Sequence, residues 1–344
     1  MEGTDPLVCR RCNAQCAVRY DYDLELESGT YPVRWFRCPV CSEEYLRAPD
    51  LLLPEDTKDT GEPGLGPYRK VALCHAGAAD GIEDPGGRSV GALVATALAE
   101  AMVDAVLLPD FGFGRAGRVV TDPEEATGLR RAWSTSARSM PVNARLGANL
   151  DFLVELERFG REDRGAHPRI AVAGRPCQVY AARHANLARI APAYKVPLTI
   201  GLFCYGNVSP SGSPALRFEE LTGVAPAQIR GMAAADGKVR VASADGHTVE
   251  VPLREFESFL HKSCMKCVDF TAPFADLSLG EDPRINGFDI ALVRTMAGER
   301  LWARALETGR LRTWSPPWME GGGDSVRILS DLTRLKRDLA QMTS

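Results

Sequence analysis

The stretch from Lys262 to Glu281 constrains this chain more than any other. Cys264-Met265-Lys266-Cys267-Val268-Asp269-Phe270 is a tight Cys-x-x-Cys hook. It leads into an apolar strand, Ala275-Asp276-Leu277-Ser278-Leu279-Gly280, which ends at Glu281. Two thiolates this close suit zinc or an iron–sulfur cluster, because soft ligands select those groups. Taken alone, the hook also fits a redox dithiol or two unrelated buried thiols.

Composition narrows the class. At 344 residues the chain makes one large domain with appendages, or two domains. With 25% charged and 45% hydrophobic residues it is globular rather than disordered. A net charge of −4 leaves no general basic footprint for nucleic acid. No run approaches the ~20 apolar residues of a membrane span. Met1-Glu2-Gly3-Thr4-Asp5 lacks the regions of a signal peptide, so a cytoplasmic location is expected. Ten cysteines in a reducing compartment point to metal or redox chemistry, not to a disulfide framework.

Residues 1–50 open with Cys9-Arg10-Arg11-Cys12, then Cys16, and close with Cys38-Pro39-Val40-Cys41. Between them Tyr20 to Glu27 alternates strictly, and Val33 to Arg37 gives a second strand. Two Cys-x-x-Cys knuckles flanking a hairpin predict a zinc-ribbon or rubredoxin-like site on Cys9, Cys12, Cys38 and Cys41. Zinc there is structural, since no ligand position stays open; iron is the alternative occupant. Residues 51–68, rich in Pro, Gly and acids, read as a linker.

A strand, Lys70 to Ala76, is followed by the Gly-rich turn Asp84-Pro85-Gly86-Gly87-Arg88-Ser89-Val90-Gly91-Ala92 and a helix. Backbone amides at such a helix start suit phosphate, although small residues there also serve close packing. Arg130 to Val142 mixes cations, hydroxyls and Trp133. It suits either a phosphorylated or carboxylated cofactor or a solvated loop. Asn149 to Phe159 reads as a capped amphipathic helix.

Arg169 to Ala173 is a strand, Gly174-Arg175-Pro176-Cys177-Gln178 the turn after it, and Leu198 to Cys204 another strand. Cys177 and Cys204 therefore follow the C-terminal ends of two strands, the edge at which open α/β sheets bind ligands. Cys264 and Cys267 can join them there, and four thiolates are what a [4Fe–4S] cluster needs.

At these residues the chain resembles the beta subunit of coenzyme F420-reducing hydrogenase and its relatives. The matching segments are Ala173 to Gln178, Ile200 to Cys204, Cys264 to Phe270, Ala275 to Gly280 and Val293-Arg294-Thr295. The resemblance implies an α/β (α+β) fold: a mixed sheet flanked by helices in an FAD- and cluster-binding domain over residues 69–315. The small N-terminal zinc-ribbon-like domain and a C-terminal helical tail, 316–344, complete it. Cys177, Cys204, Cys264 and Cys267 become the implied ligands of one [4Fe–4S] cluster. Ser89, Gly91 and Ala92, then Ser139, Pro141 and Val142, then Gly174 and Gln178, become the implied FAD-binding positions. Where the family has Thr, this chain has Arg175. A guanidinium there favours negative charge on a reduced flavin or an anionic substrate, which makes Arg175 the candidate catalytic residue.

The implied activity is that of an oxidoreductase subunit. It moves electrons between a hydride carrier (coenzyme F420, or a nicotinamide- or ferredoxin-linked substrate) and the iron–sulfur chain of partner redox subunits. The alternatives are a flavin-less zinc-ribbon scaffold and a thiol–disulfide enzyme using Cys264 and Cys267. The hairpin Lys238 to Val251 reads as structural. Ser325 to Met342 places Ile328, Leu329, Leu332, Leu335 and Leu339 on one apolar helix face, for a partner or for the chain's own core.

Overall fold

The structure is a computed structural model that describes residues 17–26, 29–37, 44–47, 64–77, 89–108, 118–126, 140–143, 168–187, 196–207, 213–225, 228–235, 238–243, 245–260, 262–265, 267–282, 285, 287–315 and 323–342. The chain forms two compact units, Met1–Glu55 and Asp56–Ser344. In the first, β1 (Ala17–Leu26) pairs antiparallel with β2 (Gly29–Arg37), and β2 with β3 (Glu44–Arg47). The expected hairpin is there; β3 is too short to show periodicity in the sequence. Cys9, Cys12, Cys16, Cys38 and Cys41 lie outside the described residues, as does the helix expected at Asn149 to Phe159.

The second unit is built on β4 (Lys70–Ala76), β5 (Ala105–Leu108), β6 (Arg118–Val120), β8 (Ile170–Gly174), β9 (Leu198–Leu202), β14 (Leu277–Glu281), β15 (Asp289–Val293) and β16 (Leu311–Trp314). They form one mixed sheet in the order β16-β4-β15-β14-β9-β8-β5-β6. Neighbours β5, β8, β9 and β14 run parallel, and the outer pairs are antiparallel. β5, β8 and β9 are buried along their whole length, so they read as unbroken apolar runs rather than alternating ones.

Helix α1 (Ser89–Ala99) carries apolar and small residues on every side and is buried from Ser89 to Leu98, as a helix without a polar face must be. α2 (Pro176–Leu187) follows β8. A second sheet takes the order β10-β7-β11-β12-β13, from β7 (Met140–Asn143), β10 (Gly206–Asn207), β11 (Ile229–Ala235), β12 (Lys238–Ser243) and β13 (Thr248–Pro252). The expected hairpin is β12–β13. Helices α3 (Ser213–Thr222), α4 (Leu253–Glu257), α5 (Lys262–Met265), α6 (Met296–Glu307) and α7 (Gly323–Met342) complete the described elements.

The end of the stretch read as a linker is packed. Leu65 is fully buried and its carbonyl accepts from Thr271 Oγ1 at 3.0 Å, while the carbonyl of Pro67 accepts from Arg294 Nη1 at 2.7 Å. Composition alone hid this, because one apolar side chain in a Pro/Gly-rich run is enough to anchor it. Among the described residues, no helix is long and apolar enough to cross a membrane.

Candidate functional site

Parallel pairing of β8 with β9 sets Gly174 opposite Gly201, so the two strands end side by side. Cys177 then falls in the first turn of α2, and Cys204 two residues beyond β9. The backbone amide of Cys204 donates to the carbonyl of Phe270 at 3.0 Å, which ties this strand end to the chain leaving the hook. Phe203 and Phe270 stack with centroids 5.5 Å apart. Cys264 sits on α5, and the amide of Cys267 closes a turn onto its carbonyl at 3.2 Å. A Cβ built on Gly206 would lie 3.6 Å from Cys264 Cβ, so the hook rests directly against the strand that follows Cys204.

The four thiols feel one another. Burial pushes Cys177 up to about 11, the charge of Arg175 pulls it back, and Cys267 and Cys264 raise it further. Cys204 is raised chiefly by burial, lowered by Lys336 and Arg175, and raised by Cys264 and Cys177. Cys267 is also raised by burial and lowered by Lys336. Four cysteines from three separate segments thus share one electrostatic environment, flanked by two cations. Among the described residues no group of three His, Cys, Asp or Glu closes tightly enough to hold a metal ion. A tetrahedral zinc site needs sulfurs about 3.8 Å apart, from Zn–S bonds of about 2.3 Å. A cube of four irons spaces its ligands more widely.

The turn between β8 and α2 is shaped by one side chain. Gln178 Oε1 accepts from the Arg175 amide at 2.9 Å, and a Cβ on Gly174 would come within 3.0 Å of Gln178 Cβ. Gln178 is fully buried, yet its Nε2 has no hydrogen-bond partner among the described residues. A buried amide donor costs stability unless something accepts from it, so it points to a ligand at this turn. Arg175 is buried beside it.

The expected flavin positions are gathered unevenly. Val142 pairs with Gly206 and Pro141 with Ala233, so β7 joins the strand end that carries Cys204; Ser139 lies outside the described residues. Gly91 and Ala92 are buried inside α1. The amide of Ser89, at the start of that helix, donates to Asp289 Oδ2 at 3.0 Å, and Cys74 Sγ donates to Ser89 Oγ at 3.4 Å. A carboxylate therefore occupies the first amide of the helix start on which phosphate was expected.

Other motif residues hold the frame. Asp276 Oδ2 accepts from the Thr199 amide at 2.7 Å and pairs with Arg183 at 2.7 Å, while Oδ1 accepts from Thr295 Oγ1 at 2.8 Å. Arg294, drawn down to about 9 by burial, donates to Ser278 Oγ at 3.1 Å and to the Thr271 carbonyl at 3.0 Å. Ala272 closes the segment with a left-handed φ of 54°, and its amide donates to Asp269 Oδ1 at 3.1 Å.

Sequence reasoning missed Lys336. It sits on α7, is 1% exposed, and donates from Nζ to the carbonyls of Tyr205 and, at 3.0 Å, Cys264. Its one signal is spacing: Ser325, Leu329, Thr333, Lys336 and Ala340 recur every three or four residues, with a single cation among them.

Residues 167–317 match the family model that describes the C-terminal part of the coenzyme F420 hydrogenase/dehydrogenase beta subunit. The beta subunit of the coenzyme F420 hydrogenase of Methanococcus voltae is 28% identical over 222 residues, 64% of this chain and 73% of that protein. A subunit of the F(420)H(2) dehydrogenase of Methanosarcina mazei is 33% identical over 168 residues, 49% of this chain and 48% of that one. In a structure of the F420-reducing [NiFe] hydrogenase complex from Methanosarcina barkeri, one chain shares the fold: TM-score 0.65, 23% identity, 82% of this chain and 92% of that one. The resemblance read from the sequence therefore holds, and residues 167–317 are similar to the C-terminal part of coenzyme F420 hydrogenase/dehydrogenase beta subunits.

Proposed function

We propose that this chain is the subunit of a redox complex that exchanges electrons between a hydride carrier, coenzyme F420 foremost, and the iron–sulfur chain of partner subunits. The observation that carries the reading is the shared environment of Cys177, Cys204, Cys264 and Cys267 at the C-terminal edge of the parallel strands. Four thiolates are the ligand set of a [4Fe–4S] cluster. The unpartnered Gln178 Nε2 in the adjoining turn suits an acceptor atom of FAD. A flavin supplies the exchange of a hydride for single electrons, and a cluster carries those electrons onward.

The chain's own residues do the positioning. The four cysteines would hold the cluster as thiolates, their thiol protons being released as iron is taken up. Arg175 and Lys336 set positive charge beside them. Gly174 keeps the turn open and Gln178 orients it, while Pro141 and Val142 border the same strand end. Arg175 is the group that favours negative charge on the flavin or substrate. Cys9, Cys12, Cys38 and Cys41 hold a structural zinc in the same proposal.

Anaerobic purification with metal analysis and an absorbance spectrum tests it. About four irons and one FAD per chain, with iron lost in Cys204→Ser, is the expected result. No iron and no flavin after anaerobic reconstitution overturns it. One observation favours a second reading, a scaffold without flavin: Asp289 takes the Ser89 amide where a cofactor phosphate was expected. Iron without flavin is the outcome that selects it.

A further inference from the structure

We infer that Lys336 is a positioning residue for the four-cysteine site: by bridging the carbonyls of Tyr205 and Cys264 it joins the two chain segments that carry Cys204 and the hook, and it fixes a positive charge against whatever those thiolates hold. This rests on the proposed [4Fe–4S] reading.

The geometry argues it in three steps. First, burying a cation is costly unless it is well partnered. The partners of Lys336 among the described residues are two carbonyls and the face of Tyr205, whose centroid is 5.4 Å from Nζ. Carbonyls and a ring satisfy the donors, but they do not neutralise the charge. Second, the surroundings are apolar. Tyr205, Phe218, Phe256, Phe259 and Leu260 form one buried cluster, against which Cys264, Met265 and Leu332 pack. The Tyr205 hydroxyl is itself committed to Glu257 Oε1, to which it donates at 2.7 Å. The two carbonyls it bridges belong to the residue after Cys204 and to Cys264 itself, so the charge is set at the segments that carry the thiols.

Third, the helix is turned to make this contact. Its most apolar stripe runs through Ile328, Leu329, Leu332, Leu335 and Leu339. The face actually buried is Ser325, Leu329, Thr333, Lys336 and Ala340, and Leu335 is left 41% exposed. The helix accepts an exposed leucine and a buried lysine in exchange for the bridge. A conflict of this kind between local pattern and packing is expected at functional sites.

Reduction adds negative charge to a cluster that is already anionic with four thiolates, so a fixed cation favours the reduced state. The test uses the full chain, anaerobically loaded, with iron per chain measured and the potential followed by an EPR-monitored titration. Lys336→Gln keeps amide donors for the carbonyls but removes the charge. It is expected to retain iron and to shift the redox equilibrium about tenfold toward the oxidised state, about 59 mV lower for one electron. Lys336→Met loses bridge and charge together and is expected to lower iron content as well. Lys336→Arg is expected to stay near wild type, as is Arg334→Gln, which removes an exposed cation paired to Asp331 on the same helix.

Wild-type potential in Lys336→Gln overturns the inference while leaving the cluster reading intact. A potential that falls as far in Arg334→Gln overturns it too, because any cation on the helix then serves. If Lys336→Met does not fold, Lys336→Gln and Lys336→Arg decide alone. Should wild type itself take up no iron, the cluster reading fails and this inference falls with it.

Discussion

Single residues carry the frame of this site, and Asp276 is the clearest case. It is almost fully buried, and its oxygens serve β9 through Thr199, α2 through Arg183 and the start of α6 through Thr295. Asp276→Ala leaves Arg183 without its carboxylate in a partly buried place. A loss of about 3–5 kcal/mol is expected, as for other broken buried pairs. Asp276→Asn keeps one acceptor and costs less. Urea unfolding measures both, and an unchanged midpoint for Asp276→Ala contradicts the account. The sequence marks Asp276 and Arg294 as members of ordered motifs but not as structural hubs, because their partners are 77 and 227 residues away in the chain. Cys177 gives a second prediction at this scale. Its ordinary value of 9.0 is raised to about 11 by burial, so folding favours its neutral thiol. In metal-free protein that contribution is complete below pH 9 and is lost as pH climbs through about 11. Alkylation of Cys177, followed by mass spectrometry, is therefore expected to be slow at pH 8 in the folded chain and to accelerate toward pH 11. A pH midpoint equal to that in urea refutes the shift.

At the scale of elements, the strands were readable and the contacts between elements were not. The runs at 170–174 and 198–202, with Cys177 and Cys204 two or three residues past their ends, mark buried parallel strands and a ligand-binding edge. The apolar stripe of α7 was legible in part: Leu329 is buried and Ile328 and Leu332 pack on the core, whereas the inward turn of Lys336 to its carbonyls is a long-range fact. Short strands such as β6 and β16 exist because sheet neighbours supply their hydrogen bonds. Gly298 shows how tightly two elements meet. It lies in the first turn of α6, capped by Thr295 Oγ1 accepting from its amide at 3.1 Å. Alanine normally favours a helix over glycine by about 1 kcal/mol. Here a Cβ would stand 2.1 Å from the carbonyl oxygen of Asp276 and 2.7 Å from its carbon, both backbone atoms that cannot swing away. Gly298→Ala is therefore expected to destabilise by about 1–3 kcal/mol, the usual range for overpacking. A thermal midpoint at or above that of wild type would show that α6 can lift off β14 without cost.

The whole molecule divides its stability between two units of very different size, Met1–Glu55 and Asp56–Ser344. The larger has a broad apolar core against one face of the eight-stranded sheet, with Leu93, Ile200, Leu277, Leu301 and Trp302 among its buried members, and smaller clusters through Ile170, Val172, Leu73 and Leu292 on the alternate strand positions. The described residues of the smaller form three strands, the last of only four residues, and a unit of about 50 residues rarely builds enough core to fold alone. Under the proposed function its stability would come from a metal on Cys9, Cys12, Cys38 and Cys41. This separates the two metal populations experimentally. A zinc chelator added anaerobically to the loaded chain is expected to remove about one zinc, with iron and flavin content unchanged. Limited proteolysis should then cut within the first 55 residues and spare the remainder. The Cys38→Ser variant should reproduce that cleavage without chelator, because three thiolates leave the tetrahedral site open. If iron leaves with the zinc at the same chelator concentration, the two sites are coupled and the units do not fold independently. If cleavage never appears after zinc is gone, the three-stranded sheet stands on its own packing and the metal is not its staple.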